Sequence, residues 1–214
     1  MDKQTAKLII ELLKNEYPNA QTALKYNTTY QLLVAVILSA QCTDERVNKV
    51  TKDLFLKYPT PNALINLTQS ELSSIIRPVG LFNSKAKHIL QATKDIIEKF
   101  NGEVPNTFEN LISLSGVGRK TADVMISVAF NGDAIAVDTH VFRVANRIGL
   151  ANAKNPLNTE KQLMKLIDKS EWSKSHHYIL WHGRLICKAR SPKCEDCCCK
   201  NYCKYYKKVS KNDN

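Results

Sequence analysis

The chain has 214 residues and carries 31 Lys+Arg against 20 Asp+Glu, a formal net charge of +11. With 43% apolar residues it can bury a core in one domain or two compact lobes, which excludes whole-chain disorder. The longest apolar run, Leu32 to Leu38, falls far short of the ~18 residues of a membrane span, and Met1-Asp2-Lys3 leads into no signal-type stretch; a soluble intracellular protein with no membrane partner and a polyanionic one, nucleic acid first, is expected.

Gly and Pro are sparse, seven of each, and the segments between them show apolar residues at i, i+3, i+4 and i+7, so the chain is expected to be all-α. Leu8, Leu12 and Leu13 mark a first helix that ends before Pro18. Tyr30 to Ala40 is apolar on nearly every side, which predicts a central buried helix. Val47, Val50, Leu54 and Phe55 mark the next, and Ile89 to Phe100 another. Gly102 and Pro105 interrupt the pattern before a short helical segment around Phe108 to Ile112. Asn131-Gly132-Asp133 is a sharp break and the expected crossing between two lobes; Leu157 to Ile167 forms a further helix after Pro156.

Leu114-Ser115-Gly116-Val117-Gly118-Arg119-Lys120-Thr121-Ala122 is the most informative stretch. Two glycines two apart permit a tight hairpin with left-handed backbone angles, its N–H groups aimed outward at a helix start where a phosphate can bind. Ala122, Met125, Ile126 and Ala129 would form the buried face of that helix, leaving Lys120 outward. Arg119 and Lys120 sit where the helix dipole disfavours cations, and a local rule broken in this way marks a functional site. An ordinary glycine turn with solvated basic residues is the competing reading. Downstream, Val137-Asp138-Thr139-His140 places Asp138 or Thr139 where it can cap the next helix.

Six of the seven cysteines fall between Cys187 and Cys203. Disulfides staple distant loops, so the crowding indicates a metal site; the spacing reads C-x6-C-x2-C-x5-C through Cys187, Cys194, Cys197 and Cys203, while the adjacent Cys198 (C-x3-C) and Cys199 (C-x4-C) leave the third ligand open on spacing alone. Zinc and an iron–sulfur cluster are both open to four thiolates; a single C-x2-C pair plus outliers favours the cluster. Lys188, Arg190 and Lys193 lie within this loop and suit contact with a nucleic-acid backbone, a solvated basic face being the competing reading. His176, His177 and His182 lack the i, i+4 spacing of a metal pair and are expected at the surface or in helix packing. Cys42 is expected to be a small apolar filler. The tail from Lys204 is expected to be mobile.

In these motifs the sequence resembles the endonuclease III family of helix-hairpin-helix DNA glycosylases and abasic-site lyases, and the likeness runs along nearly the whole chain. It rests on the hairpin with Lys120, the Val-Asp-Thr-His segment with Asp138, the Leu-Ser-Ala-Gln stretch ending at Gln41, and the four cysteines, all in family order. The resemblance implies a helical barrel over 22–132, with the hairpin at 108–130, and a second lobe of 1–21 plus 133–214 carrying a [4Fe–4S] cluster in the loop 187–203.

It also implies Lys120 as an amine nucleophile and Asp138 as the assisting carboxylate in releasing oxidised pyrimidines, followed by β-elimination at the abasic site. Adenine-mismatch relatives lack a lysine at this hairpin position, so Lys120 favours the bifunctional chemistry. Gln41 and Leu81 match the family's wedge positions, which fill the hole left by an extruded nucleotide. Gly116, Val117 and Gly118 would offer backbone N–H groups to phosphate. Damaged double-stranded DNA is the implied partner of a monomer in the bacterial cytoplasm, at the nucleoid. The rival readings are a non-catalytic DNA-binding protein using the same hairpin, from which Lys120 and Asp138 discriminate, and a metal-dependent nuclease, for which no clustered carboxylates are found.

Overall fold

The structure, a computed structural model, describes residues 1–210; these are helical throughout their regular elements, with no strand among them. The all-helical expectation holds. The chain divides into two compact units, Ala23–Phe130 and a second that joins Met1–Thr22 to the chain from Asn131 onward.

Helix α1 (Lys3–Glu16) belongs to the second unit. The first unit holds α2 (Thr29–Leu38), α3 (Asp44–Lys57), α4 (Pro61–Leu64), α5 (Gln69–Ile75), α6 (Phe82–Lys99), α7 (Phe108–Ser113) and α8 (Arg119–Val124). Thr28, Thr43, Thr60, Thr68 and Thr107 each accept a hydrogen bond from an amide of the first helical turn, so the β-branched hydroxyl residues that read as breaks in the apolar pattern are the start signals of α2, α3, α4, α5 and α7. α2 is buried from Tyr30 to Leu38 because it packs against α3, α6 and α8 at once. Eight of its side chains belong to this unit's hydrophobic core, together with Leu54, Leu72, Ile89, Ile96 and Leu111 among others.

Beyond α8 the chain widens into a π turn over Met125–Ala129, closed by the Phe130 amide on the Met125 carbonyl at 3.3 Å. That extra residue per turn rotates the side chains away from the expected stripe. Ala122 and Met125 are buried as expected, but Asp123 and Ser127 are buried with them, while Ile126 and Ala129 stay partly exposed.

In the second unit α9 (Thr139–Ile148) is central and packs against α10 (Pro156–Leu166), α11 (Trp172–Leu185) and α12 (Lys204–Val209), while α1 lies on α11. Ile9, Leu13, Val141, Val144, Ile148, Leu163 and Ile179 form its core. α12 corrects the expectation of a mobile tail from Lys204, because residues 204–209 are helical; 211–214 lie outside the described residues. His176 and His182 are buried in α11, at 4% and 1% exposure, which removes them from the surface and leaves helix packing as the reading that survives.

Candidate active site and cysteine centre

The hairpin joins α7 to α8. Gly116 has φ 79°, a left-handed angle, and a Cβ built there would stand 2.8 Å from the Cβ of His88 on α6. Glycine is therefore required twice, by the backbone angle and by the approach to α6. Next to it, Ser115 Oγ and His88 Nδ1 are 2.9 Å apart, pinning the turn to α6. Gly118 differs from expectation: its backbone is extended, φ −92° and ψ 177°, with open space where a Cβ would stand. Only the first glycine carries the left-handed angle. Val117 is buried, and its amide donates to the Leu114 carbonyl at 3.1 Å, whereas the amides of Gly116 and Gly118 carry no hydrogen bond among the described residues.

Lys120 is exposed in the first turn of α8, as its position opposite Ala122 and Met125 demands, and no hydrogen bond or ion pair holds its amine among the described residues. Its neighbour Arg119 is turned onto the Phe108 ring, 4.6 Å from the centroid. Asp138 is the N-cap of α9: its Oδ1 accepts from the Val141 amide at 2.8 Å, and Oδ2 has no hydrogen-bond partner among the described residues. Gln41 and Leu81 are both exposed, Leu81 at 56%, and both have positive φ, 55° and 48°. Leu81 is therefore not a core leucine, although a core place is what its residue type alone would suggest.

The cysteine loop follows α11. Cys187, Cys194, Cys197 and Cys203 line one small apolar cavity together with Ile148, His182, Tyr205 and Tyr206. Cys198 and Cys199 do not line it; Cys199 is fully buried in the core of the unit, 3.6 Å from the Cys198 sulfur. None of the seven cysteines is joined in a disulfide, and among the described residues no three donor side chains close up as around a single metal ion. Hydrogen bonding from Cys199, with a further bond from His182, holds the Cys197 thiol well below the usual thiol range, while burial pushes Cys194 and Cys203 up. Lys188, Arg190 and Lys193 are exposed on the loop.

Three further residues shape this centre: Arg143 and Arg147, which sequence reasoning passed over, and His182, which it expected only at the surface or in helix packing. Arg143 on α9 donates from Nε to the Cys187 carbonyl at 3.0 Å and from Nη2 to the Gly183 carbonyl at 2.8 Å. One turn on, Arg147 donates to the carbonyls of Lys188 and Ala189 at 2.6 and 3.0 Å, reaches Cys187 Sγ at 3.7 Å and stacks on Tyr205. His182 Nδ1 stands 3.0 Å from the Tyr17 hydroxyl and its Nε2 lies 3.4 Å from Cys197 Sγ. The i, i+4 arginines on one face of α9 were the available signal. The helix capped by Asp138 is thus the same helix that fixes the start of the cysteine loop.

Residues 34–169 match the HhH-GPD superfamily of base excision DNA repair proteins. Among curated relatives, the chain is 48% identical over 206 residues to endonuclease III of Rickettsia conorii, covering 96% of this chain and 98% of that protein. It is 40% identical over 209 residues to endonuclease III of Escherichia coli K12, at 98% and 99% coverage. A solved structure of a trapped endonuclease III–DNA covalent intermediate superposes with a TM-score of 0.93 at 45% identity, covering 98% of this chain and 99% of that one. A non-covalent endonuclease III–DNA complex gives 0.94, also at 45% identity, with 99% of each chain covered.

The fold and motifs define a helix-hairpin-helix protein of base excision DNA repair. Within that superfamily the chain belongs to the endonuclease III family. It is a base-excision DNA repair enzyme, a glycosylase for oxidised pyrimidines with abasic-site lyase activity.

Proposed function

We propose that Lys120 is the nucleophile of this enzyme and Asp138 its assisting carboxylate. The exposed, unpartnered amine of Lys120 at the start of α8 is the observation that carries the reading, since a structural lysine would be engaged. The neutral amine attacks C1′ of the damaged nucleotide and the C1′–N bond breaks, the electron pair leaving with the base. Opening of the sugar gives a Schiff base on Lys120. Loss of a C2′ proton then allows the C3′–O bond to break with departure of the phosphate, and water releases the lysine. Asp138 would offer Oδ2 to the positive charge that develops on the sugar and to the later proton transfers, while Oδ1 continues to cap α9.

Gln41 and Leu81, exposed in left-handed conformations, are proposed to fill the stack vacated by the extruded nucleotide. The free amides of Gly116 and Gly118 suit phosphate contact; the Val117 amide is engaged with the Leu114 carbonyl, so Val117 would hold the turn rather than offer its N–H to phosphate. Lys188, Arg190 and Lys193 are proposed to neutralise backbone phosphates.

The thiols of Cys187, Cys194, Cys197 and Cys203 are proposed to hold a [4Fe–4S] cluster, which four sulfurs around one apolar cavity suit. The position of Cys198 and Cys199 away from that cavity favours Cys197 as the third ligand. The cluster would shape the basic loop and supply no hydrolytic chemistry. The working form is proposed to be a monomer acting on damaged double-stranded DNA at the nucleoid in a bacterial cytoplasm, a reading supported by its bacterial relatives.

Incubating the enzyme with duplexes that carry one thymine glycol or one abasic site, in the absence of added metal, tests the reading. Scission of both by wild type, and of neither by Lys120→Gln, is the expected result. Full activity of Lys120→Gln would remove the assignment.

A further inference from the structure

Lys85 is a lysine inside a core. It lies in the first turn of α6, is 4% exposed, and its Nζ donates to the carbonyls of Leu38 at 2.9 Å and Val79 at 3.0 Å. Among the described residues no carboxylate pairs with its amine. Burying an ammonium against two neutral carbonyls is costly, and burial accordingly pushes its pKa down. A methionine would fill the same space without that cost.

The two carbonyls explain the arrangement. Leu38 is the last residue of α2, and Val79 the last of the 3-10 turn Arg77–Val79, so each would otherwise be an orphan acceptor at a helix end. Gln41 follows Leu38 by three residues, and Leu81 follows Val79 by two. Both adopt left-handed angles that cost a side-chain-bearing residue about 1–3 kcal/mol. Of the five such non-glycine residues described, Gln41 and Leu81 are neither Asn nor Ser, the polar types that bond locally to ease such angles. Strain at both tips therefore needs support from outside the loops, and one nitrogen ties together the two segments that carry them.

We propose that Lys85 is a positioning residue for base extrusion: its amine clamps the Gln41 and Leu81 loops at a fixed separation, so that both side chains enter the DNA stack together. This rests on the reading of Gln41 and Leu81 as wedges, and it assigns no chemistry to Lys85. Loss of the clamp impairs steps in which a base must leave the stack and spares those in which none does.

The test is single-turnover excision of thymine glycol from a duplex against β-elimination at a preformed abasic site, with 2-aminopurine fluorescence opposite the lesion reporting extrusion. Lys85→Met is expected to slow excision about tenfold, ~1.4 kcal/mol of barrier, to reduce the fluorescence change, and to leave abasic-site cleavage within about twofold. In a Leu81→Ala background the same substitution should cost little further, because one wedge is no longer there to be aimed. Equal losses on both substrates, or full additivity with Leu81→Ala, overturn the clamp in favour of simple packing. Normal excision by Lys85→Met beside impaired Gln41→Ala and Leu81→Ala overturns the clamp and leaves the wedges standing, whereas no duplex-selective loss in any of the three removes the wedge reading itself. Should Lys85→Met not fold, Lys85→Gln, which keeps a polar end but cannot reach both carbonyls, is read by the same criteria.

Discussion

The Nε2 of His182 lies 3.4 Å from the sulfur of Cys197. On its far side the ring meets the Tyr17 hydroxyl, which donates to Nδ1 when Nε2 carries the hydrogen, the tautomer that presents N–H to the sulfur. Purified protein should then be brown, with about four iron per chain. Ser at Cys187, Cys194, Cys197 or Cys203 should bleach it, while Cys198→Ala and Cys199→Ala should not. His182→Leu should keep the colour but lose it to chelator about tenfold faster, the usual cost of a lost outer hydrogen bond at a metal ligand. Colour lost in Cys198→Ala and kept in Cys197→Ser would move the third ligand.

The two hairpin glycines should behave differently. Gly116→Ala meets both a left-handed angle and the His88 side chain at 2.8 Å. It should cost about 1–3 kcal/mol and lower Tm by roughly 2–4 °C per kcal/mol. Gly118→Ala, extended and unobstructed, should leave Tm within about a degree of wild type on the same scale. Calorimetry that finds the two equal would contradict the description of the turn.

The cap that Asp138 makes on α9 and the carboxylate role proposed for it are separable. Asn at this position keeps the cap on Val141, so Asp138→Asn should match wild type in Tm and in binding to undamaged duplex. Turnover should nonetheless fall about a hundredfold or more, the range of a lost acid–base group. Unchanged turnover would reduce Asp138 to a helix cap.

Phosphate contact sets the salt response. The formal charge of +11 and the exposed Lys188, Arg190 and Lys193 predict that log K for undamaged duplex falls with log[salt] with a slope of several units. Anisotropy titrations at stepped salt read it directly; a slope near zero would remove these residues from the DNA contact.

Much of this molecule is legible as sequence, and the illegible part has a pattern. α2 could be read because a helix buried on all sides is apolar on all sides. The helix-start positions of Lys120 and Asp138 could be read because each breaks or satisfies a rule there, whereas the roles proposed for them come from the family resemblance. Lys85 could not, since amphipathic periodicity sends every lysine outward and its acceptors are carbonyls that any sequence would supply. Arg143 and Arg147 were missed for the same reason, their acceptors lying about forty residues downstream. The π turn after α8 is set by packing rather than by local propensity, and it shifted the buried face from Ile126 to Ser127.

The central claim is that the amine of Lys120 becomes covalently joined to the sugar, a trace that capping, packing or phosphate contact cannot leave. Borohydride added during reaction with thymine glycol duplex should reduce the Schiff base and fix protein to DNA, and peptide mapping should place the adduct on Lys120. Lys120→Gln should lose both trapping and base release while still binding the damaged duplex, because one charge among many costs little affinity. A trapped complex formed by Lys120→Gln at the wild-type rate, or an adduct mapped to another amine, would contradict the account.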